Sequence, residues 1–139
     1  MPVRTKELRF AAAVERGGSA TAESRAPLDA PEGWSAEHFL LIALLRCSLT
    51  SLRYYARRAG AEAIGSGSAR GVVTRREQDG RYAFVEVEIE LEADVEPPPE
   101  NPAALVAAAE RGCFIGSSLT TKPRYRWMIN GTPVAAPDA

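Results

Sequence analysis

A chain of 139 residues, 45% apolar and 25% charged, has the composition of one globular domain rather than of a disordered or fibrous protein. The 17 basic and 18 acidic residues leave a net charge of −1, so no long-range field draws nucleic acid or an anionic membrane surface. The start, Met1-Pro2-Val3-Arg4-Thr5-Lys6, lacks an apolar signal core, and the longest apolar run, Phe39 to Leu45, is far shorter than a bilayer span. The expectation is a soluble, cytoplasmic, single-domain protein, residues 1–139, with no membrane or nucleic-acid partner.

Glu7 to Val14 is apolar enough for a strand, Gly17-Gly18 is a turn signal, and Ser19 to Arg25 predicts the return strand of a hairpin. Pro27 to Gly33 reads as a loop. Ser35 suits an N-cap and Glu37 the first turn, where negative charge complements the helix dipole. The helical pattern runs to about Ala59, with Gly60 at C′. Its first half, Phe39 to Leu45, is apolar all round and requires cover from a sheet or a second subunit. Its second half, with Arg53, Arg57 and Arg58, is amphipathic.

Gly65 to Gly71 is small and polar, a loop or the start of a strand. Val72 to Gln78 reads as a strand and Asp79-Gly80 as a hairpin turn. In Arg81 to Ala93, Val85, Val87, Ile89 and Leu91 alternate with Glu86, Glu88, Glu90 and Glu92, which is period two with one buried and one wet face. Pro97-Pro98-Pro99 ends that strand. Pro102 opens a short alanine-rich helix through Arg111, and Gly112 breaks it immediately before Cys113. Arg124 to Ile129 predicts a last strand, Asn130-Gly131 a turn, and the remainder a Pro/Ala tail. The order is β-β-α-β-β-α-β, an α+β fold with a long central apolar helix packed against antiparallel sheet.

Two cysteines in a reducing compartment rarely persist as a structural bridge, and with one histidine they do not build a zinc site. No metal and no cofactor is expected. Cys47 and Cys113 are either buried small hydrophobes or reversible thiols, and the residues alone leave both readings open. Glu37 precedes Cys47 by ten positions, about 15 Å along one helix, so a further element must link them.

The segment Trp34 to Leu52, with Glu37 at its start and Cys47 in an Ala/Leu-rich context, resembles the signature of the osmotically inducible protein C / organic hydroperoxide resistance (OsmC/Ohr) family. Arg53 to Gly60 is similar to that family's helix end, and Ala109 to Leu119, containing Cys113, resembles its second motif. Phe114 and Ala36 stand where the family has proline. The resemblance implies an intertwined homodimer with two central helices wrapped by sheets. It implies a thiol peroxidase that reduces organic hydroperoxides, with Cys47 peroxidatic and Cys113 resolving. It implies that Glu37 pairs with an arginine, best matched by Arg16, with Arg25 and Arg4 as alternatives. The implied partners are a small hydroperoxide and a thiol reductant whose identity the sequence does not name. The competing reading is a dimer of the same shape without catalysis, binding a small apolar ligand.

His38 projects away from Cys47 on a straight helix and reads as a packing or surface residue. The glutamate row from Glu86 to Glu92 reads as a solvated strand face rather than a cation site, and Arg53, Arg57 and Arg58 as a solvated helix surface. Tyr125 and Trp127 fall on the opposite strand face from Arg124 and Arg126, toward a core or interface. No phosphate-binding loop, dinucleotide fingerprint or Ser-His-Asp spacing occurs.

Overall fold

The computed structural model describes residues 5–137, in two compact units divided between Ser35 and Ala36. The N-terminal unit contains one antiparallel hairpin, β1 (Ala12–Val14) and β2 (Ala20–Ala22), with Val14 opposite Ala20. Gly17 and Gly18, at φ +96° and +95°, turn the chain between them. Both strands are shorter than the sequence predicts. The alanines of Glu7 to Val14 give little side-chain surface for a longer pairing.

The second unit begins with α1 (Ala36–Arg58) and continues through β3 (Glu62–Arg75), β4 (Tyr82–Glu96), α2 (Pro102–Arg111), α3 (Phe114–Ser118), β5 (Arg124–Ile129) and β6 (Thr132–Val134). The four strands form one sheet in the order β3-β4-β5-β6. The antiparallel expectation holds for β3–β4 and β5–β6, whereas β4 and β5 run parallel. Two helices lie between those strands, as a parallel crossover requires. Two elements go beyond the predicted order. The five residues of α3 are too few to show a helical period, and Pro133 disguises the short edge strand β6.

The long hairpin β3–β4 defines the sheet. On β4, Val87, Ile89, Leu91, Ala93 and Val95 are buried, and Glu86, Glu90, Glu92, Asp94 and Glu96 are exposed. Glu88 lies on the wet face with the other glutamates and receives Arg70 from β3 at 2.5 Å and Arg124 from β5 at 2.6 Å. The acidic row is thus a solvated strand surface on which Glu88 and Glu90 meet cross-strand arginines, each pair contributing little at such exposure.

The face of β3 turned toward α1 carries Ala63, Gly65, Gly67, Ala69 and Gly71, opposite the larger apolar residues of β4. Those small residues let α1 lie close to the sheet, near enough that a β-carbon on Gly67 would fall 3.1 Å from a Leu45 methyl. The helix buries Leu44, Leu45, Ser48, Ser51, Leu52 and Ala56, a stripe at three- and four-residue spacing, and exposes Arg53, Arg57 and Arg58. By length and composition alone α1 would suffice to cross a membrane, but Leu44, Leu52, Val106 and Trp127 share one core with the sheet and α2, and each is nearly fully buried. Burying each such side chain contributes about 1.5–3 kcal/mol. The all-round apolar first half is only partly covered, and Ile42 remains 39% exposed.

The helix starting at Pro102 matches the prediction. Asn101 caps it, its side chain accepting from the Ala104 amide at 3.1 Å, and Pro102 occupies the first turn.

Candidate active site

Cys47 and Cys113 come together because α1 and the α2–α3 junction meet through small residues. Ser51, on the buried face of α1, donates to the Ala109 carbonyl of α2 at 2.8 Å. At Gly112 an added β-carbon would lie 2.7 Å from the Tyr55 ring and 2.8 Å from the Ser51 hydroxyl oxygen, so only glycine permits this approach. The chain then turns, and Cys113, fully buried, becomes the N-cap of α3.

Cys47 is half-buried on α1 and packs against the core cluster that contains Cys113, with Cys113 and the Ile115 and Phe114 backbone near enough to influence its thiol. Burial is the largest influence on its thiol and pushes it above the ordinary range. The Ile115 amide pulls it back down, Cys113 pushes it up, and the Phe114 amide pulls it down more weakly. No cation figures among these leading influences. Phe114 stands at the first position of α3, where proline also fits, but unlike proline it retains a backbone N–H.

The Cys113 sulfur is held by two donors. The Gly116 amide reaches it at 3.4 Å and the Ser48 hydroxyl at 3.5 Å. The Ser48 oxygen also lies 3.1 Å from the Tyr125 hydroxyl of β5. Tyr125 stacks on Trp127 at 5.7 Å, and the Trp127 indole donates to Glu110 at 3.0 Å. Burial raises the half-buried Glu110 carboxyl, against the lowering effect of that hydrogen bond.

The expected site residues are therefore placed unequally. Cys47 and Cys113 adjoin each other. Glu37 is exposed in the first turn of α1, about three helical turns from Cys47. Arg16 belongs to the N-terminal unit, in the turn between β1 and β2, and is exposed; Arg25 follows β2 and donates to the Glu23 carbonyl at 3.1 Å. Arg4 lies outside the described residues.

Ser48 and Tyr125 are participants that the sequence does not assign to the site. The one signal is spacing, because Leu44, Leu52 and Ala56 put Ser48 and Ser51 on the same buried helix face, where hydroxyls need partners. Among the described residues no group of three or more His, Cys, Asp or Glu is placed to hold a metal. Two surface grooves contain neither cysteine. One, of about 760 Å³, is lined in part by Leu91, Tyr125, Trp127, Met128 and Val134. The other, of about 620 Å³, lies between α1 and β3.

The sequence model of the family described as OsmC-like protein matches residues 29–127. Similar solved structures include an OsmC-like protein of Vibrio cholerae O1 biovar eltor str. N16961, 15% identical with TM-score 0.64 over 86% of this chain and 84% of that one. An OsmC-like protein of Mycoplasma pneumoniae is 14% identical with TM-score 0.64, over 91% and 99%. The organic hydroperoxide resistance protein OhrB of Bacillus subtilis is 16% identical with TM-score 0.54, over 88% and 96%. At such identities the likeness establishes the fold alone. No curated protein matches the sequence.

Proposed function

The chain belongs to the OsmC-like protein family, and from that premise we propose that it is a cytoplasmic, thiol-dependent peroxidase for organic hydroperoxides. The observation that carries this reading is the juxtaposition of Cys47 and Cys113, which are distant in sequence yet packed in one cluster, where α1 meets the α2–α3 junction. The Cys47 thiolate attacks the distal oxygen of the hydroperoxide. The O–O bond breaks, the alkoxide takes a proton and leaves as alcohol, and Cys47 becomes a sulfenic acid. Cys113 then attacks the Cys47 sulfur, the S–O bond breaks, water leaves and a disulfide forms. An external thiol reductant returns the two electrons. Treating the protein with one equivalent of cumene hydroperoxide should remove two thiols per chain and give a Cys47–Cys113 disulfide by mass spectrometry. Unchanged thiol content would overturn the assignment.

Within the second unit burial makes Cys47 a poor thiolate, and a guanidinium would reverse that. We assign this role to Arg16, paired with Glu37. Arg16→Ala should move the pH midpoint of Cys47 alkylation upward, because removing a cation disfavours the charged form. A midpoint about one pH unit higher would lower the thiolate fraction, and with it peroxide reduction, by about tenfold at pH values below the wild-type midpoint and by less above it. An unmoved midpoint would exclude Arg16 and direct the same test to Arg25 and Arg4.

The functional unit is a homodimer in this proposal. The partly exposed apolar half of α1 and the distance from Glu37 to Cys47 along one helix both favour a second copy completing the site. Sedimentation should give a dimer at micromolar concentration, and a stable folded monomer would refute it.

The groove of about 760 Å³, where Leu91, Tyr125, Trp127 and Val134 line a floor edged by Glu90, Glu92 and Arg126, favours one alternative, a non-catalytic dimer carrying a small, largely apolar ligand. That reading predicts saturable ligand binding that survives replacement of both cysteines.

A further inference from the structure

We propose that Ser48 and Tyr125 are positioning residues for the resolving thiol, forming a directed chain Tyr125 O–H to Ser48 O–H to Cys113 sulfur. The inference rests on the two-cysteine reading above and specifies which groups make its second step fast. Ser48 has a single hydroxyl proton. If it is directed at the Cys113 sulfur at 3.5 Å, the 3.1 Å contact with Tyr125 can only be a hydrogen bond donated by the phenol. Burial holds the Tyr125 phenol well above its ordinary range, so it keeps the proton it donates.

The arrangement matters because a serine inside a helix has another partner within reach, the carbonyl one turn earlier. A donor behind the Ser48 oxygen occupies its lone pair and keeps its proton aimed at sulfur. Hydrogen bonds in such a chain strengthen one another, most of all in a buried setting. Ser48 and Cys113 are both fully buried, and Tyr125 is half-buried.

The chemical consequence falls on resolution. When Cys113 attacks the Cys47 sulfenic sulfur, an S–S bond forms and the S–O bond breaks. The thiol proton of Cys113 leaves with the hydroxide as water. Negative charge passes through the Cys113 sulfur during that exchange. Donors from Ser48 and from the Gly116 amide, at 3.4 Å, stabilise it, and a hydrogen bond to a charged acceptor is stronger than one to a neutral acceptor. The titratable groups facing this thiol are Cys47 from α1, Tyr125 from β5 and, next to Tyr125, Glu110 from α2.

The test is a single turnover with one equivalent of cumene hydroperoxide, following Cys47 sulfenic acid by dimedone trapping and disulfide by intact mass. The rate of resolution is read separately from the rate of Cys47 oxidation. Tyr125→Phe and Ser48→Ala are each expected to slow resolution about tenfold, raise its pH midpoint and increase Cys47 sulfinic acid. The double variant should lose no more than either single one, because both act through one chain of hydrogen bonds. Wild-type resolution rates with an unmoved midpoint would overturn the proposal, as would slowing without a change of midpoint, which marks a packing effect. A wild-type protein that forms no sulfenic acid at Cys47 would defeat the peroxidase reading itself. That outcome appears in the first measurement, apart from any variant.

Discussion

Replacing Cys47 with serine is expected to abolish reduction of organic hydroperoxide, whereas replacing Cys113 is expected to permit one oxidation per chain and then inactivation. The asymmetry follows from where the two sulfurs sit. Cys47 is half-buried and accessible on α1, while Cys113 is fully enclosed as the cap of α3. A hydroperoxide can therefore meet Cys47 first. A serine hydroxyl at that position is too weakly acidic to attack a peroxide, so Cys47→Ser should cost at least about a thousandfold in rate, as deletion of a covalent nucleophile does. In Cys113→Ser the first step survives, but nothing captures the sulfenic acid, and a second equivalent of peroxide converts it to sulfinic acid. Intact mass should show that protein gaining two oxygens at Cys47, while wild type loses two hydrogens. Wild-type consumption of peroxide by Cys47→Ser would mean that the accessible thiol is not the reacting one, and the two-cysteine mechanism would fail.

The fold is legible wherever side chains repeat with a period. The all-round apolar run after Glu37 identifies a helix that needs cover, and the Val/Glu alternation of β4 identifies a strand and its buried face. The inward positions at the start of β3 conceal that strand because they are small. Gly65, Gly67 and Ala69 sit there because α1 crosses closely above them, and the sequence by itself presents only a polar, glycine-rich stretch. For the site, Cys47 and Cys113 stand out as the only two thiols. Ser48 and Tyr125 do not, because their significance lies in a helix and a strand meeting far apart in the chain. The arginine is harder still. Arg16 and Arg25 lie in one compact unit and the thiols in another, so no local pattern ties a particular guanidinium to Cys47.

Gly67→Val is expected to destabilise the protein, although intrinsic preference argues the opposite. Valine favours strands and glycine disfavours them, a difference of about 1 kcal/mol that would make the substitution stabilising at an unconstrained strand position. Gly67, however, is turned toward α1. A β-carbon there would fall 2.5 Å from the Glu90 carbonyl oxygen, 2.8 Å from a Leu91 methyl and 3.1 Å from a Leu45 methyl. The two leucines can change rotamer, but the carbonyl belongs to the neighbouring strand and moves only if the β3–β4 pairing moves. Overpacking of this kind typically costs about 1–3 kcal/mol, and more where backbone must shift, so it outweighs the propensity gain. Ser68→Val supplies the control. Ser68 is the next residue of the same strand, exposed on the opposite face and paired with Glu90. Valine there gains the preference without the collision and should be neutral or mildly stabilising. Urea denaturation of the two variants should give midpoints displaced in opposite directions, Gly67→Val below wild type and Ser68→Val at or above it. If Gly67→Val raised the midpoint, α1 would not lie as close to β3 as the small residues of that strand imply, and the bed on which the helix holds Cys47 against Cys113 would have to be redrawn.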